Sequence, residues 1–325
     1  MTQFLSTLHR FTNKNAWIWA MIGSITMWFA VGIVSNNLNF ESFTANAFSA
    51  SFLAIAALGQ MLVITTGRGA IDLSIPGVIT LAAYMNVTYI AGNDAMIIPG
   101  FLLILSVGAV IGFLNSMSVI YLKIPPMIAT MAMNYILTTI SLKFNSSMGL
   151  EQLTMSKILL GIARGRVFGI YNVTWILIAI TVVLHFVLTR TTYGRSLTAL
   201  GQNNKAAYFS GVSTIKVEML SYILCSVFAS LAGLLISLRV GGAFLGMGDS
   251  YMLETVGGVV IGGTLISGGK CSPLGTLLGC LFLVLVLTAM QLANFDLGMK
   301  NIVKGALIVL VILIGTQSLS KIRKA

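Results

Sequence analysis

Runs of about twenty apolar residues recur along the whole chain with scarcely a charge inside them, beginning with Ala16 to Ser35. A bilayer core of about 30 Å is crossed by about 20 residues of helix, so each such run is a candidate membrane span. Only 8% of the 325 residues are charged and 57% are hydrophobic, whereas an ordinary soluble domain is about a quarter charged. Length alone suggests about two soluble domains, but so few charges cannot make their water-facing surface. The chain is therefore read as an integral membrane protein, one all-α polytopic bundle over residues 1–325.

Spans are expected near 16–35, 47–66, 76–92, 98–121, 126–146, 172–189, 217–238, 251–266, 274–292 and 301–318, about ten helices with both termini on one side. The first follows a basic start (Arg10, Lys14) and has no convincing small-residue cleavage site, which predicts a retained anchor. Basic residues should collect on the cytoplasmic side. Arg10, Lys14, Arg68, Lys123, Arg190, Arg195, Lys205, Lys216, Lys270, Lys321, Arg323 and Lys324 fall on one side, while six of the 8 acids fall on the other. That side is read as cytoplasmic. It holds a long segment, 190–216, and the opposite face holds a loop, 147–171, expected to be a hairpin or a short amphipathic piece.

The net charge of +11 is thus a record of orientation, and no basic patch interleaved with aromatics points to nucleic acid. Cys225, Cys271 and Cys280 stand singly without CxxC spacing, as packing residues do. Spans two to five and seven to ten make two four-helix blocks entering from opposite sides, the arrangement of an inverted repeat.

Candidate sites are sparse. Arg68 and Asp72 lie in GRGAIDLS at a membrane boundary, where they either partner each other or Asp72 or Ser74 caps the next helix. Gly275 with Gly279, and Gly108 with Gly112, have the four-residue spacing that lets membrane helices approach closely. Gly269-Lys270 is not a phosphate loop, since it follows a membrane helix and precedes Cys271, so the chain is not expected to bind ATP itself. His9 and His185 have no positioned partner, which argues against catalysis. Asn46, Gln60, Asn86, Asn115, Asn134 and Gln291 are amides in or near spans that either glue helices or face a wet cavity. Ionisable groups are nearly absent from span interiors, so proton or sodium coupling is unlike this chain and its driving energy comes from elsewhere.

Three segments, GAIDLSIPGVITL (Gly69 to Leu81), YGRSLTALGQNNKAAYFSGV (Tyr193 to Val212) and VGGVVIGGTLISGGKCSPLGTLLG (Val256 to Gly279), together resemble the permease subunits of bacterial ABC importers for ribose and related monosaccharides. The chain departs from the family's usual pattern at Arg68 and Pro76, and Glu254 stands alone, opposite Met252, where an acid pair is common. The resemblance implies a vitamin-B12-importer-like (type II) fold in the bacterial inner membrane, without an ATPase site of its own. It implies as partners a second permease copy or paralogue, two cytoplasmic ATPase subunits that hold ATP and Mg, and a periplasmic sugar-binding protein, with membrane lipid around the chain itself. It also implies an ATPase-coupling helix in the run Gln202, Asn203, Asn204, Lys205, Ala206, Ala207, Tyr208, Phe209, Ser210, Gly211 and Val212. Locally that run has an N-cap at Asn203 or Asn204, about two turns, and a stop at Gly211. A transport pathway should bind weakly through scattered amides and aromatics, and Asn115, Asn134 and Tyr135 are nominated for it. The expected cargo is a monosaccharide. Branched-chain amino acids or nucleosides carried by related permeases, an ATP-independent carrier or channel, and a membrane scaffold stay open as alternatives.

Overall fold

The computed structural model describes residues 17–36, 38–147 and 155–322. The termini, the start of the first expected span at residue 16, and residues 148–154 of the 147–171 loop lie outside the described residues, and with them Arg10, Lys14, Arg323 and Lys324. Helices dominate: α1 (Trp17–Ser35), α2 (Phe40–Thr65), α3 (Ile75–Met85), α4 (Ile97–Ile120), α5 (Pro126–Ser147), α6 (Lys157–Arg164) and α7 (Asn172–Arg190). They continue as α8 (Thr192–Gln202), α9 (Asn204–Phe209), α10 (Thr214–Val240), α11 (Tyr251–Ile261), α12 (Pro273–Leu292) and α13 (Leu297–Ile322). Between α6 and α7 a small antiparallel hairpin pairs β1 (Arg166–Val167) with β2 (Ile170–Tyr171), so the 147–171 loop contains both a short helix and a hairpin.

Seven helices among the described residues are long and apolar enough to cross a membrane: α1, α2, α4 with its leading turn, α5, α7, α10 and α12. The expected spans at 76–92 and 251–266 take a different form. At about 1.5 Å per residue, an eleven-residue helix such as α3 or α11 reaches only about half the hydrocarbon core. A π turn, Asn86–Ile90, succeeds α3 and ends on left-handed Ala91. At the end of α11, Gly262 and Gly263 follow, the latter at φ +87°. Most of the other boundaries that move do so outward. The second helix begins at Phe40, not 47, because the Asn39 side chain accepts from the Ser42 amide at 2.7 Å.

The core lies along α2, buried on every side from Ala50 to Thr65. A helix that is apolar all round belongs in an interior, and α2 has α10, α11 and α12 against it, while α10 has α3 and α4. Glycines set the closest approaches. A Cβ on Gly112 would stand 2.4 Å from the Tyr222 carbonyl, one on Gly275 1.9 Å from that of Gly262, and one on Gly279 2.2 Å from that of Gly258. Both four-residue glycine spacings are therefore helix contacts, α4 on α10 and α12 on the end of α11.

Candidate functional site

The two short helices are each preceded by an irregular, partly buried segment, residues 66–74 before α3 and 241–250 before α11. Backbone without helical bonds is tolerated at membrane depth only where protein or a wet cavity receives it, so each segment needs named partners. In the first, the Asp72 amide donates to Gln60 Oε1 of α2 at 3.3 Å, and the Leu73 amide donates to Thr130 Oγ1 of α5 at 2.9 Å. Gln60 lies five residues inside the end of α2, so the segment folds back about 7 Å into the bundle. In the second, the Gly248 amide donates to Thr80 Oγ1 of α3 at 3.1 Å, and a Cβ on Gly248 would meet the Pro76 carbonyl at 2.2 Å. The two segments enter from opposite ends and meet on the first turns of α3.

Side-chain amides hold this centre. Asn134 of α5 accepts from the Gly77 amide at 2.8 Å, and Asn115 of α4 donates to Ser74 Oγ at 2.8 Å. Asn86 donates to Ser237 Oγ of α10 at 2.8 Å, and Tyr84 donates to Asn145 at 2.8 Å. Asn115 and Asn134 are thus buried and spent on fixing α3, whereas Tyr135, beside Asn134 on α5, is 65% exposed. Arg68 and Asp72 do not pair among the described residues. Arg68 is exposed, with left-handed φ of +59°, and Asp72 Oδ1 accepts from both the amide and the hydroxyl of Ser74 at 2.8 and 2.6 Å.

The other carboxylate oxygen, Asp72 Oδ2, has no hydrogen-bond partner among the described residues, nor has Asn115 Oδ1. The titratable side chains facing it, Tyr222 and Cys225 of α10, bring no positive charge. Asp72→Ala removes the acceptor of both Ser74 bonds and is expected to lower the melting temperature of the purified protein by more than Asp72→Asn, which keeps one oxygen for them. Equal melting of the two variants would mean that these bonds do not hold the loop.

At the end of the bundle where α2 finishes, the second and third resembling segments meet. The Gly269 amide donates to the Thr65 carbonyl at 3.0 Å, and Gly201, in the last turn of α8, sits over that bond. A Cβ on Gly201 would be 2.0 Å from the Thr65 oxygen and 2.2 Å from the Gly269 nitrogen. From this junction α9 projects. The Asn203 side chain accepts from the Ala206 amide at 3.1 Å, and Gly211, at φ +82°, turns the chain so that the Val212 amide donates to the Ala207 carbonyl at 3.0 Å. Ala207 is buried, but Tyr208 and Phe209 are 65% and 84% exposed and stand edge to face, with ring centroids 5.7 Å apart. Six residues of helix are marginal alone, and this helix presents two bare aromatic rings.

Sequence reasoning missed the 241–250 segment and the Glu254–Lys304 ion pair between α11 and α13, 2.5 Å with both side chains largely buried. GGAFLGMGDS carried a signal, glycines ahead of an unusually short apolar run. The pair had none, because nothing local relates residues so far apart.

A family model described as branched-chain amino acid transport system / permease component matches residues 42–312. The ribose import permease protein RbsC of Escherichia coli (strain K12) is 31% identical over 323 residues, covering 97% of this chain and 99% of that protein. The RbsC of Bacillus subtilis (strain 168) is 30% identical and covers 80% of each chain. The autoinducer 2 import system permease protein LsrC of Yersinia pseudotuberculosis serotype O:3 (strain YPIII) is 25% identical, covering 91% of this chain and 83% of that one. No solved structure matches.

Proposed function

The chain belongs to the permease-component family of the branched-chain amino acid transport type, and we propose that it is the membrane subunit of an ATP-driven ABC importer for a monosaccharide, ribose or a close relative. The observation that carries this reading is the end-to-end likeness to a ribose import permease. Uptake of labelled ribose into vesicles holding the assembled importer and its binding protein tests it. Competition by sugars and not by leucine is expected. Competition by leucine alone would move the cargo to branched-chain amino acids, the second reading, which the description of the family model favours.

In this reading the chain crosses the inner membrane ten times as one permease domain, with its termini, its 190–216 segment and the α9 end cytoplasmic and its 147–171 loop periplasmic. The basic bias of the loops supports that orientation. The type II architecture with an inverted repeat draws support from the packing: α2 leads one block and touches α11 and α12 of the other, while α10 leads the second and touches α3 and α4 of the first. Short helices at equivalent places in two such blocks point to a central pathway. Tyr135, with Thr139 one turn on, gives the open face of α5 a polar stripe suited to passing a sugar between this chain and a second permease. Asn115 and Asn134 hold the broken helix behind that wall.

ATP and Mg belong to the two cytoplasmic ATPase subunits, and α9 docks into one of them. The cycle of those subunits then reaches the centre through α8 and the junction at Gly201, Thr65 and Gly269, and a periplasmic binding protein supplies the cargo. Phe209→Ala is expected to weaken ATPase co-purification about thirtyfold, the loss of about 2 kcal/mol typical of a docked aromatic, and to cut uptake in parallel. Ala206→Arg should do the same by placing a charge on the helix. Unchanged ATPase capture by both variants would remove α9 from the interface.

A further inference from the structure

Away from the centre, near the end of the bundle where α10 finishes, two adjoining cavities of about 380 and 520 Å³ share Ile162 of α6 and Ile176 of α7 as their common wall. The first is lined by apolar side chains alone and runs along α10 from Leu238 to Leu231, about 10 Å of helix axis. The second continues past Trp175 to Phe168 at the tip of the hairpin. We propose that this groove binds one glycerophospholipid, its acyl chain lying along α10 and its phosphate held at Arg164.

Three walls of the first cavity, α4, α7 and α10, are membrane spans, and Ile98 on its rim is 72% exposed, so the groove opens to the bilayer. A water-soluble ligand has nothing to bind there. A single hydrocarbon chain fits both the shape and the chemistry.

The mouth has the features of the headgroup level. Trp175 donates its indole N–H to the Val167 carbonyl at 3.2 Å, and Tyr171 lies on the same hairpin, the amphipathic rings that collect at membrane interfaces. Arg164 donates Nε to the Leu238 carbonyl at 3.1 Å and Nη2 to the Arg239 carbonyl at 3.0 Å, which fixes the guanidinium beside Leu238, a lining residue of the first cavity. Its third nitrogen, Nη1, takes no acceptor among the described residues. A planar guanidinium held in place with a donor to spare is well suited to a phosphate oxygen.

The test uses the assembled importer in detergent with Trp17, Trp19 and Trp28 of this chain and every tryptophan of its partner subunits replaced by Phe, so that Trp175 alone reports, and titrates in a phosphatidylethanolamine brominated on its acyl chains. A matched protein carries Trp175→Phe and Val182→Trp, reporting ordinary lipid contact on α7. Quenching at Trp175 is expected at lipid-to-detergent ratios at least tenfold below those needed at residue 182. Narrowing the groove with Leu234→Phe, or with Ile176→Phe from the opposite wall, should abolish the difference, and Arg164→Gln should reduce it severalfold. Equal ratios at the two positions would overturn the proposal, as would quenching at Trp175 insensitive to both filling variants. Complete protection of Trp175 in the assembled importer would overturn it in favour of a protein covering the groove.

Discussion

Lys304→Met is expected to be among the most damaging single changes in this chain, with a loss of about 3 kcal/mol of stability and of most of the uptake. Lys304 Nζ lies 2.5 Å from Glu254 Oε1, and the two side chains are only 18% and 10% exposed. Removing one member of a buried pair leaves the other charge without compensation, which costs about 3–5 kcal/mol in soluble proteins. The lower end applies here, because an unfolded chain within a membrane still finds partners for its polar groups. The pair ties α11, too short to cross by itself, to α13 at the edge of the bundle. Lys304→Met combined with Glu254→Gln should recover much of the loss, since the double variant buries no charge. The exchange Glu254→Lys with Lys304→Glu should recover part of it. Melting of the wild type, Lys304→Met, Glu254→Gln and their double variant in one detergent closes the cycle, and additive losses would mean that the two residues do not interact.

The same pair marks where sequence reasoning ends. Membrane residence and seven of the expected spans were legible because a lipid core forces long apolar helices. Asn203 and Gly211 were legible for a local reason: a cap and a left-handed stop act within one turn of the residues that need them. The breaks at α3 and α11 were not. Apolar length was read as span length, yet Gly262 and Gly263 are as compatible with an uninterrupted apolar run as with a broken one until tertiary contacts are known. Asn115 and Asn134 illustrate the same limit. An amide in a span signals that a partner exists, and only the fold reveals that the partners are Ser74 and the backbone of Gly77 rather than a solute. Tyr135 differs from its neighbour Asn134 only in facing outward, a distinction set by which side of α5 meets α3.

Gly201→Val is expected to abolish uptake while leaving α9 able to recruit an ATPase, which separates docking from transmission. The added side chain enters the Gly269–Thr65 hydrogen bond, where even a Cβ would lie 2.0 Å from one backbone atom and 2.2 Å from another. Neither atom is the end of a flexible side chain, so α8 has to lift away from the end of α2 and from the glycine-rich turn after α11. Overpacking of this kind costs about 1–3 kcal/mol for a methyl-sized insertion, more for a branched one. Gly201→Ala should therefore lower the melting temperature measurably and slow uptake, with Gly201→Val worse on both. Gly211→Ala is the control on the same segment, since a Cβ there meets nothing within 4 Å and the change adds only the strain of a left-handed φ, about 1–2 kcal/mol. If the junction transmits the motion of α9, Gly201→Val retains ATPase in pull-downs, and its ATP hydrolysis no longer responds to loaded binding protein. Uptake at the wild-type rate in Gly201→Val would show instead that α8 moves independently of α2, and any path from α9 to the broken helices would have to run through the start of α10.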